Sequence, residues 1–491
     1  SILESLKFIP PKLVVVEYRE PVLAFANTPD QEIPVQGEAN LGDKGRYHPS
    51  VAAQIVNGKF GLHLPYYRLQ DLFASSGWTP SRSSLDYLTD LVHETTQDLP
   101  KLMLSQIKKG RCLGLDDTQV KLIMPKDLPD KAEGIEDPQI KRLIEKMPGM
   151  SRVYYSNSGS EANEKVYKMV RQIAHRHHGG KKWKILYRER DYHGTTIGTL
   201  ATSGQFQRAM QYGPYPDGFV IVPHCLEYRK QWDVENYGER AAEAIEEVIL
   251  REGPDSVGCL VLEPVTAGGG VIVPPKGYWD KVQEICRKYD ILLHIDEVVC
   301  GLGRTGTWFG YQHYGIQPDF VTMAKGVASG YAAISCTVTT EAVFDMFKDD
   351  PTDTMSYFRD ISTFGGCTSG PAAALENMRI IEDENLLDNT LRMGKRTTDN
   401  LRALMEKHKV IGDVRGKGLF LGAELVADRV TKEAADEKKV QAVVADCMAQ
   451  GVIIGATNRS IPGLNNTLCL SPALIATKDD IDQITGAMDR A

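Results

Sequence analysis

Beyond about residue 143 the apolar positions gather into short runs separated by longer amphipathic stretches. The runs are Val153–Tyr155, Lys184–Tyr187, Phe219–Val222, Gly258–Leu262, Ile291–Ile295 and Phe320–Met323. They are too short for helices and lack in–out alternation, which predicts strands buried on both faces. Glu161–His178, Tyr237–Arg251 and Tyr278–Tyr289 repeat apolar residues at helical spacing and predict helices between the strands. Such alternation predicts an α/β domain with a mainly parallel sheet over residues 143–370. From about Pro371 the pattern changes to a helix-rich stretch, a strand at Leu419–Leu425, a helix at Lys438–Gln450, and strands near Val452–Ile454 and Thr467–Ser471. That predicts a smaller α+β domain over 371–491.

Residues 1–142 read differently, as a mixed fragment unrelated to the rest of the chain. A strand is predicted at 12–17 and a polar loop, rich in Gly and Pro, over 29–48. His63 to His93 is helical in pattern, with breaks at Gly77 and Pro80 and with Ser81 or Ser83 near an N-cap. A strand from Arg111 to Met124 and a polar linker from Pro125 to Asp137 complete it.

Composition narrows the function classes. A chain of 491 residues fits about three domains. The net charge of −8 argues against nonspecific binding to nucleic acid or an anionic membrane. The nine cysteines are scattered, with no CxxC pair, so neither a zinc site nor a disulfide framework is expected. Reduced thiols fit a cytoplasmic protein. No apolar run reaches membrane-spanning length, and the first residues lack the order of a signal peptide. Ser1-Ile2-Leu3 is not an initiating sequence, so further chain upstream is expected.

Chemistry concentrates at strand ends. Ile291-Leu-Leu-His-Ile-Asp296-Glu297 delivers acids to the C-terminal edge of a buried strand, where open parallel sheets bind ligands. Phe320-Val-Thr-Met-Ala-Lys325 delivers a lysine in the same way. A lysine beside such an aspartate is what pyridoxal-phosphate chemistry needs: the amine condenses with the cofactor's carbonyl and the acid holds the ring nitrogen protonated. A solvated ion pair would give the same pattern. Ser156-Asn-Ser-Gly-Ser-Glu-Ala-Asn163 leads from strand into helix and can cradle a phosphate on backbone amides, or simply cap the helix. In Asp191-Tyr-His-Gly194 the aromatic could stack on a cofactor ring or pack in a loop. Gly301-Leu-Gly-Arg-Thr-Gly306 matches a dinucleotide fingerprint but does not close a strand, and no acid follows at about 20 residues. His175-Arg-His177-His178 lacks a carboxylate at ligand spacing, so no metal site is expected.

Seven motifs in order resemble the class III (ω-type) aminotransferases: Asn157-Ser-Gly-Ser-Glu-Ala162, Tyr192-His-Gly194, Leu262-Glu-Pro264, Ile295-Asp-Glu-Val298, Ala324-Lys-Gly326, Thr363-Phe-Gly-Gly366 and Val414-Arg-Gly-Lys-Gly418. The resemblance implies a fold-type I, pyridoxal 5′-phosphate-dependent transferase over 143–491, with Lys325 and Asp296 catalytic. It implies that Gly159 and Ser160 bind the phosphate, that Tyr192 and Val298 pack the ring faces, and that Glu263 supports the site. Thr363 would reach the phosphate of a partner subunit, making the enzyme a homodimer, and Arg415 would take the substrate's acidic group. The implied reaction moves an amine from taurine or a related ω-amino acid to pyruvate.

Residues 1–142 are similar instead to part of a bacterial insertion-sequence transposase. Phe8-Ile-Pro-Pro-Lys-Leu-Val-Val15, Leu62-His-Leu-Pro-Tyr-Tyr-Arg68, Ser81-Arg-Ser-Ser-Leu85 and Leu115-Asp-Asp-Thr118 carry the likeness. It implies the first strand of a ribonuclease-H-like core, with Asp116 or Asp117 as a metal-binding carboxylate. The other acids would lie beyond the junction at 128–143, and two-metal chemistry needs several, so no transposase activity or nucleic-acid partner is expected. The aminotransferase segment that would precede Leu143 is absent from this pattern. The alternative is therefore a hybrid that binds the cofactor without turning over.

Overall fold

The computed structural model describes residues 22–25, 28–34, 49–56, 59, 66–74, 78–96, 138–348, 357–365 and 367–491. The chain divides into two compact units, 1–119 and 120–491.

In the first unit, strand β1 (Val22–Phe25) pairs antiparallel with β2 (Thr28–Pro34). The loop expected over 29–48 is therefore a strand as far as Pro34. Pairing with β1 satisfies its backbone and overrides the polar side chains. Helices α1 (Pro49–Val56), α2 (Tyr66–Ala74) and α3 (Arg82–Thr96) close around Ala52, Ile55, Leu69, Phe73, Leu85 and Leu88. α2 ends at Ala74 and α3 begins at Arg82, with Pro80 in the break between them while Gly77 lies outside the described residues; Ser81 Oγ accepts from Ser84 N at 3.0 Å, so Ser81 caps α3. The strands expected at 12–17 and Arg111–Met124, Asp116 and Asp117, and the linker at Pro125–Asp137 lie outside the described residues.

The second unit opens with α4 (Pro138–Glu145), β3 (Met150–Ser156) and α5 (Gly159–His177). Strands β4 (Lys184–Arg188), β5 (Phe219–Val222), β6 (Val257–Leu262), β7 (Leu292–Asp296), β8 (Phe320–Met323) and β9 (Ser335–Thr340) complete a seven-stranded sheet in the order β3-β9-β8-β7-β6-β4-β5. Only β9 runs against its neighbours, so the sheet is mainly parallel, as the alternation predicts. All six residues of β6 are buried, because helices cover both faces; this is why the run is continuously apolar. α6 (Tyr237–Glu252) and α7 (Tyr278–Lys288) supply part of that cover. Strand β9 escapes a hydrophobicity reading because its sequence, Ser-Cys-Thr-Val-Thr-Thr, is half threonine.

The C-terminal part combines α8 (Ser369–Asp383), α9 (Leu386–Lys407), β10 (Ile411–Lys417), β11 (Phe420–Leu425), α10 (Glu437–Ala449), β12 (Gly455–Ala456), β13 (Thr467–Leu470) and α11 (Lys478–Arg490). Its antiparallel sheet is ordered β10-β11-β13-β12. The strand expected at Val452–Ile454 instead begins at Gly455. Val452 and Ile454 point into the core while Ile453 is 75% exposed, so the alternation exists, but pairing with β13 starts at Gly455 opposite Cys469. Among the described residues no helix is long and apolar enough to cross a membrane, and no cluster of three or more potential ligands could hold a metal.

One buried group makes this sheet pH-sensitive. His294 in β7 is fully buried against Tyr167 and Phe320, with Nε2 3.0 Å from Thr322 Oγ1, and burial pulls its pKa from 6.5 to about 3. The folded imidazole stays neutral while the unfolded one takes a proton below pH 6.5, so its contribution is full above 6.5 and fades as pH falls toward 3. Urea unfolding of wild type and His294→Gln should give a stability gap that narrows by about 1.4 kcal/mol per pH unit as pH falls below 6.5. Parallel curves would contradict this.

Candidate active site

β7 and β8 are parallel neighbours, with Asp296 opposite Thr322. Their C-terminal ends therefore bring an acid and, two residues after Met323, the amine of Lys325 to the same edge of the sheet. Lys325 sits at φ 33°, in the left-handed region that side chains disfavour. Such strain costs on the order of 1–3 kcal/mol and collects at functional sites.

Both residues line a cavity of about 490 Å³, together with Gly159, Ser160, Tyr192, Glu263 and Val298. The turn from β3 into α5 supplies one wall. Ser158 Oγ accepts from Glu161 N, while the amides of Gly159 and Ser160 have no partner among the described residues. Two free amides at the start of a helix of 19 residues suit an anion. An added Cβ at Gly159 would stand 3.1 Å from Val298 Cγ2, so a larger residue would narrow the cavity there.

Asp296 is 2% exposed. Its Oδ2 lies 2.8 Å from His193 Nδ1 and accepts from Asn163 Nδ2 at 2.9 Å, and its Oδ1 accepts from Val298 N at 2.9 Å. Burial pushes its pKa up, but the His193 contact and the Val298 amide outweigh this and hold it below the ordinary carboxylate value. An ionised carboxylate in a closed setting suits a cationic ring nitrogen. Asn163 also donates to His193 O at 2.6 Å and accepts from Thr322 Oγ1 at 2.7 Å, so one side chain ties α5, the Tyr192 loop and β8 to the acid.

The Tyr192 loop is anchored from below. Asp191 accepts from Arg188 Nη2 (3.0 Å), Glu263 N (3.0 Å) and Thr266 Oγ1 (2.5 Å), all buried. Glu263 Oε1 accepts from Tyr192 N at 2.7 Å and Oε2 from Ala267 N at 2.8 Å. Burial and the neighbouring Asp191 and Asp296 raise the Glu263 carboxyl well above its usual range. His193, Asn163, Asp191 and Arg188 carry no role in the sequence motifs. A buried asparagine and a buried arginine look polar in sequence, and only the fold reveals what they hold.

Two residues named from sequence stand outside this cavity. Thr363 is exposed, on a segment where Ile361 is 99% and Phe364 50% exposed. Arg415, in β10, lies against Asp413 (2.6 Å) and Glu424 (2.7 Å) and donates to Gly270 O at 2.6 Å. The Gly301–Gly306 segment packs toward the C-terminal part, with Arg304 Nη1 donating to Leu419 O and Pro472 O. His177 Nε2 contacts Met346 O at 2.8 Å, a structural use.

A family model described as aminotransferase class-III matches residues 134–491. The chain belongs to the class-III aminotransferases. A second model, the IS66 transposase family, matches residues 44–134. The aminotransferase part is 86% identical over 350 residues to the hypotaurine/taurine–pyruvate aminotransferase of Paracoccus denitrificans, covering 71% of this chain and 76% of that one. It is 63% identical over 351 residues to the taurine–pyruvate aminotransferase of Bilophila wadsworthia, covering 71% and 77%. A Bacillus anthracis aminotransferase structure superposes with a TM-score of 0.69 at 36% identity, covering 73% and 81%. The aminotransferase fold is thus the one the seven motifs imply, and its mainly parallel sheet is the one the strand–helix alternation predicts.

Asn163→Ala removes a donor from a buried, charged acceptor. The aminotransferase should lose about 1.5–3 kcal/mol of stability in urea unfolding. A loss within error of zero would mean that the Asp296 network is not held from α5.

Proposed function

We propose that the chain uses pyridoxal 5′-phosphate to transfer the amino group of taurine, or of a related ω-amino acid, to pyruvate, leaving sulfoacetaldehyde (from taurine) and alanine. The observation that carries this reading is the meeting of Lys325, ionised Asp296 and the free amides of Gly159 and Ser160 in one cavity. The donor set fits the cofactor: amides for its phosphate, Tyr192 and Val298 for its ring faces, Asp296 for its ring nitrogen and Lys325 for its carbonyl carbon. Identities of 86% and 63% to relatives named for taurine and pyruvate support the same pair of substrates here.

When bound, pyridoxal phosphate supplies a ring that draws electrons from the carbon losing its proton. The chain's own residues do the rest. Asp296 would hold a proton on the ring nitrogen, with Asn163 and the Val298 amide keeping its carboxylate in place. With the cofactor bound, Lys325 Nζ would be the base that takes the proton from the donor carbon next to nitrogen and the acid that later returns it. Pyruvate then receives the amino group by the reverse course, so the kinetics are ping-pong.

In this reading residues 143–370 form the cofactor domain, 371–491 the small domain, and 1–142 an unrelated segment. The exposed Thr363 and Ile361 fit a homodimer in which Thr363 reaches across to the partner's site. The same reading puts the protein in the cytoplasm, with an amine donor and pyruvate as its small-molecule partners.

A second reading, cofactor binding without turnover, is favoured by one observation: the match spans 76% of the Paracoccus relative, while residues 44–134 match a transposase family. Taurine and pyruvate supplied to the cofactor-loaded full chain should yield alanine, and Lys325→Ala should lower that rate by at least about a thousandfold. A visible cofactor band without alanine from any amine donor would leave only the second reading.

A further inference from the structure

A taurine-type donor carries an anion at the end opposite its amine, and some cation must receive it. Arg415 is already committed. Its side chain is 9% exposed, both Asp413 and Glu424 counter its charge, and Nε and Nη2 donate to Gly270 O at 3.0 and 2.6 Å.

Arg208 differs in its exposure and in having no countering carboxylate among the described residues. It lines the same cavity as Lys325, and its guanidinium carbon stands 5.3 Å from the centre of the Tyr192 ring. Nε donates to Gln205 Oε1 at 2.7 Å, and Gln205 is itself fully buried, held through Nε2 to Arg190 O at 3.1 Å. Nη2 donates to Asn458 O at 3.2 Å. One edge of the fork is thus fixed. Nη1 makes no hydrogen bond, and no carboxylate lies within ion-pair distance of Arg208 among the described residues. An oriented, uncompensated guanidinium at the wall of a substrate cavity is an anion receptor, since its planar donors match sulfonate or carboxylate oxygens.

Resting on the transamination reading above, we propose that Arg208 receives the donor's acidic group and sets the preference for ω-anionic amines. The test uses the cofactor-loaded full chain with Arg208→Gln and Arg208→Lys, at saturating pyruvate. Donors are taurine, 3-aminopropanoate and uncharged propylamine. Arg208→Gln should lower the kcat/KM ratio of taurine to propylamine about ten- to hundredfold, chiefly through the KM for taurine, and Arg208→Lys should restore part of it. An equal fall for 3-aminopropanoate means a general anion site, and a larger fall for taurine means one shaped for sulfonate; both support the proposal. Ethanesulfonate, which has no amine, should bind wild type in calorimetry at least about tenfold more tightly than Arg208→Gln. Equal losses for taurine and propylamine, or ethanesulfonate binding indifferent to Arg208, overturn it. If wild type aminates pyruvate from no donor, the transamination reading fails, and the calorimetry still decides whether Arg208 receives the anion.

Discussion

Asp296 is nearly sealed from water, yet its pKa lies below the ordinary value, and that combination demands polar partners from several directions. His193 comes from the loop after β4, Asn163 from α5 and the Val298 amide from the turn after β7. Three segments distant in sequence must therefore arrive together before the acid can stay charged. The parallel sheet makes this possible by presenting those segments at one edge, and the alternating strand–helix order makes the parallel sheet.

The second level of support is electrostatic as well. Arg188 and Asp191 form a fully buried ion pair at the end of β4, and Asp191 also fastens the Glu263 amide and the Thr266 hydroxyl. Removing one member of such a pair leaves an uncompensated buried charge, so the pair acts as a clamp rather than a surplus source of stability. Through it the backbones of Tyr192 and Glu263 are set relative to each other, with Glu263 Oε1 closing the loop on Tyr192 N. The cavity wall is thus held by charges that never face the cavity.

The parts legible in the sequence were those that obey one-dimensional rules. Buried parallel strands read as unbroken apolar runs, and strand ends read as sites, which is how Lys325 and Asp296 emerged. Strand β9 hid because threonine suits the centre of a sheet without looking hydrophobic. β2 hid because backbone pairing, not side-chain pattern, fixes it. Asn163 and Arg188 hid because a buried polar residue is recognisable only once its partners are in place. Arg415 stood out in its motif, but the charges of Asp413 and Glu424 facing it are a matter of strand register. Arg208 carried no motif at all; its openness is a property of what does not surround it.

The left-handed backbone at Lys325 has an evolutionary edge. Glycine would occupy φ 33° without steric strain, so replacing the lysine would relieve the turn of that cost. Drift toward a sturdier protein and retention of a reactive amine pull this one codon in opposite directions. A descendant of this chain released from the need to turn over would be free to settle there, becoming more robust as it falls silent.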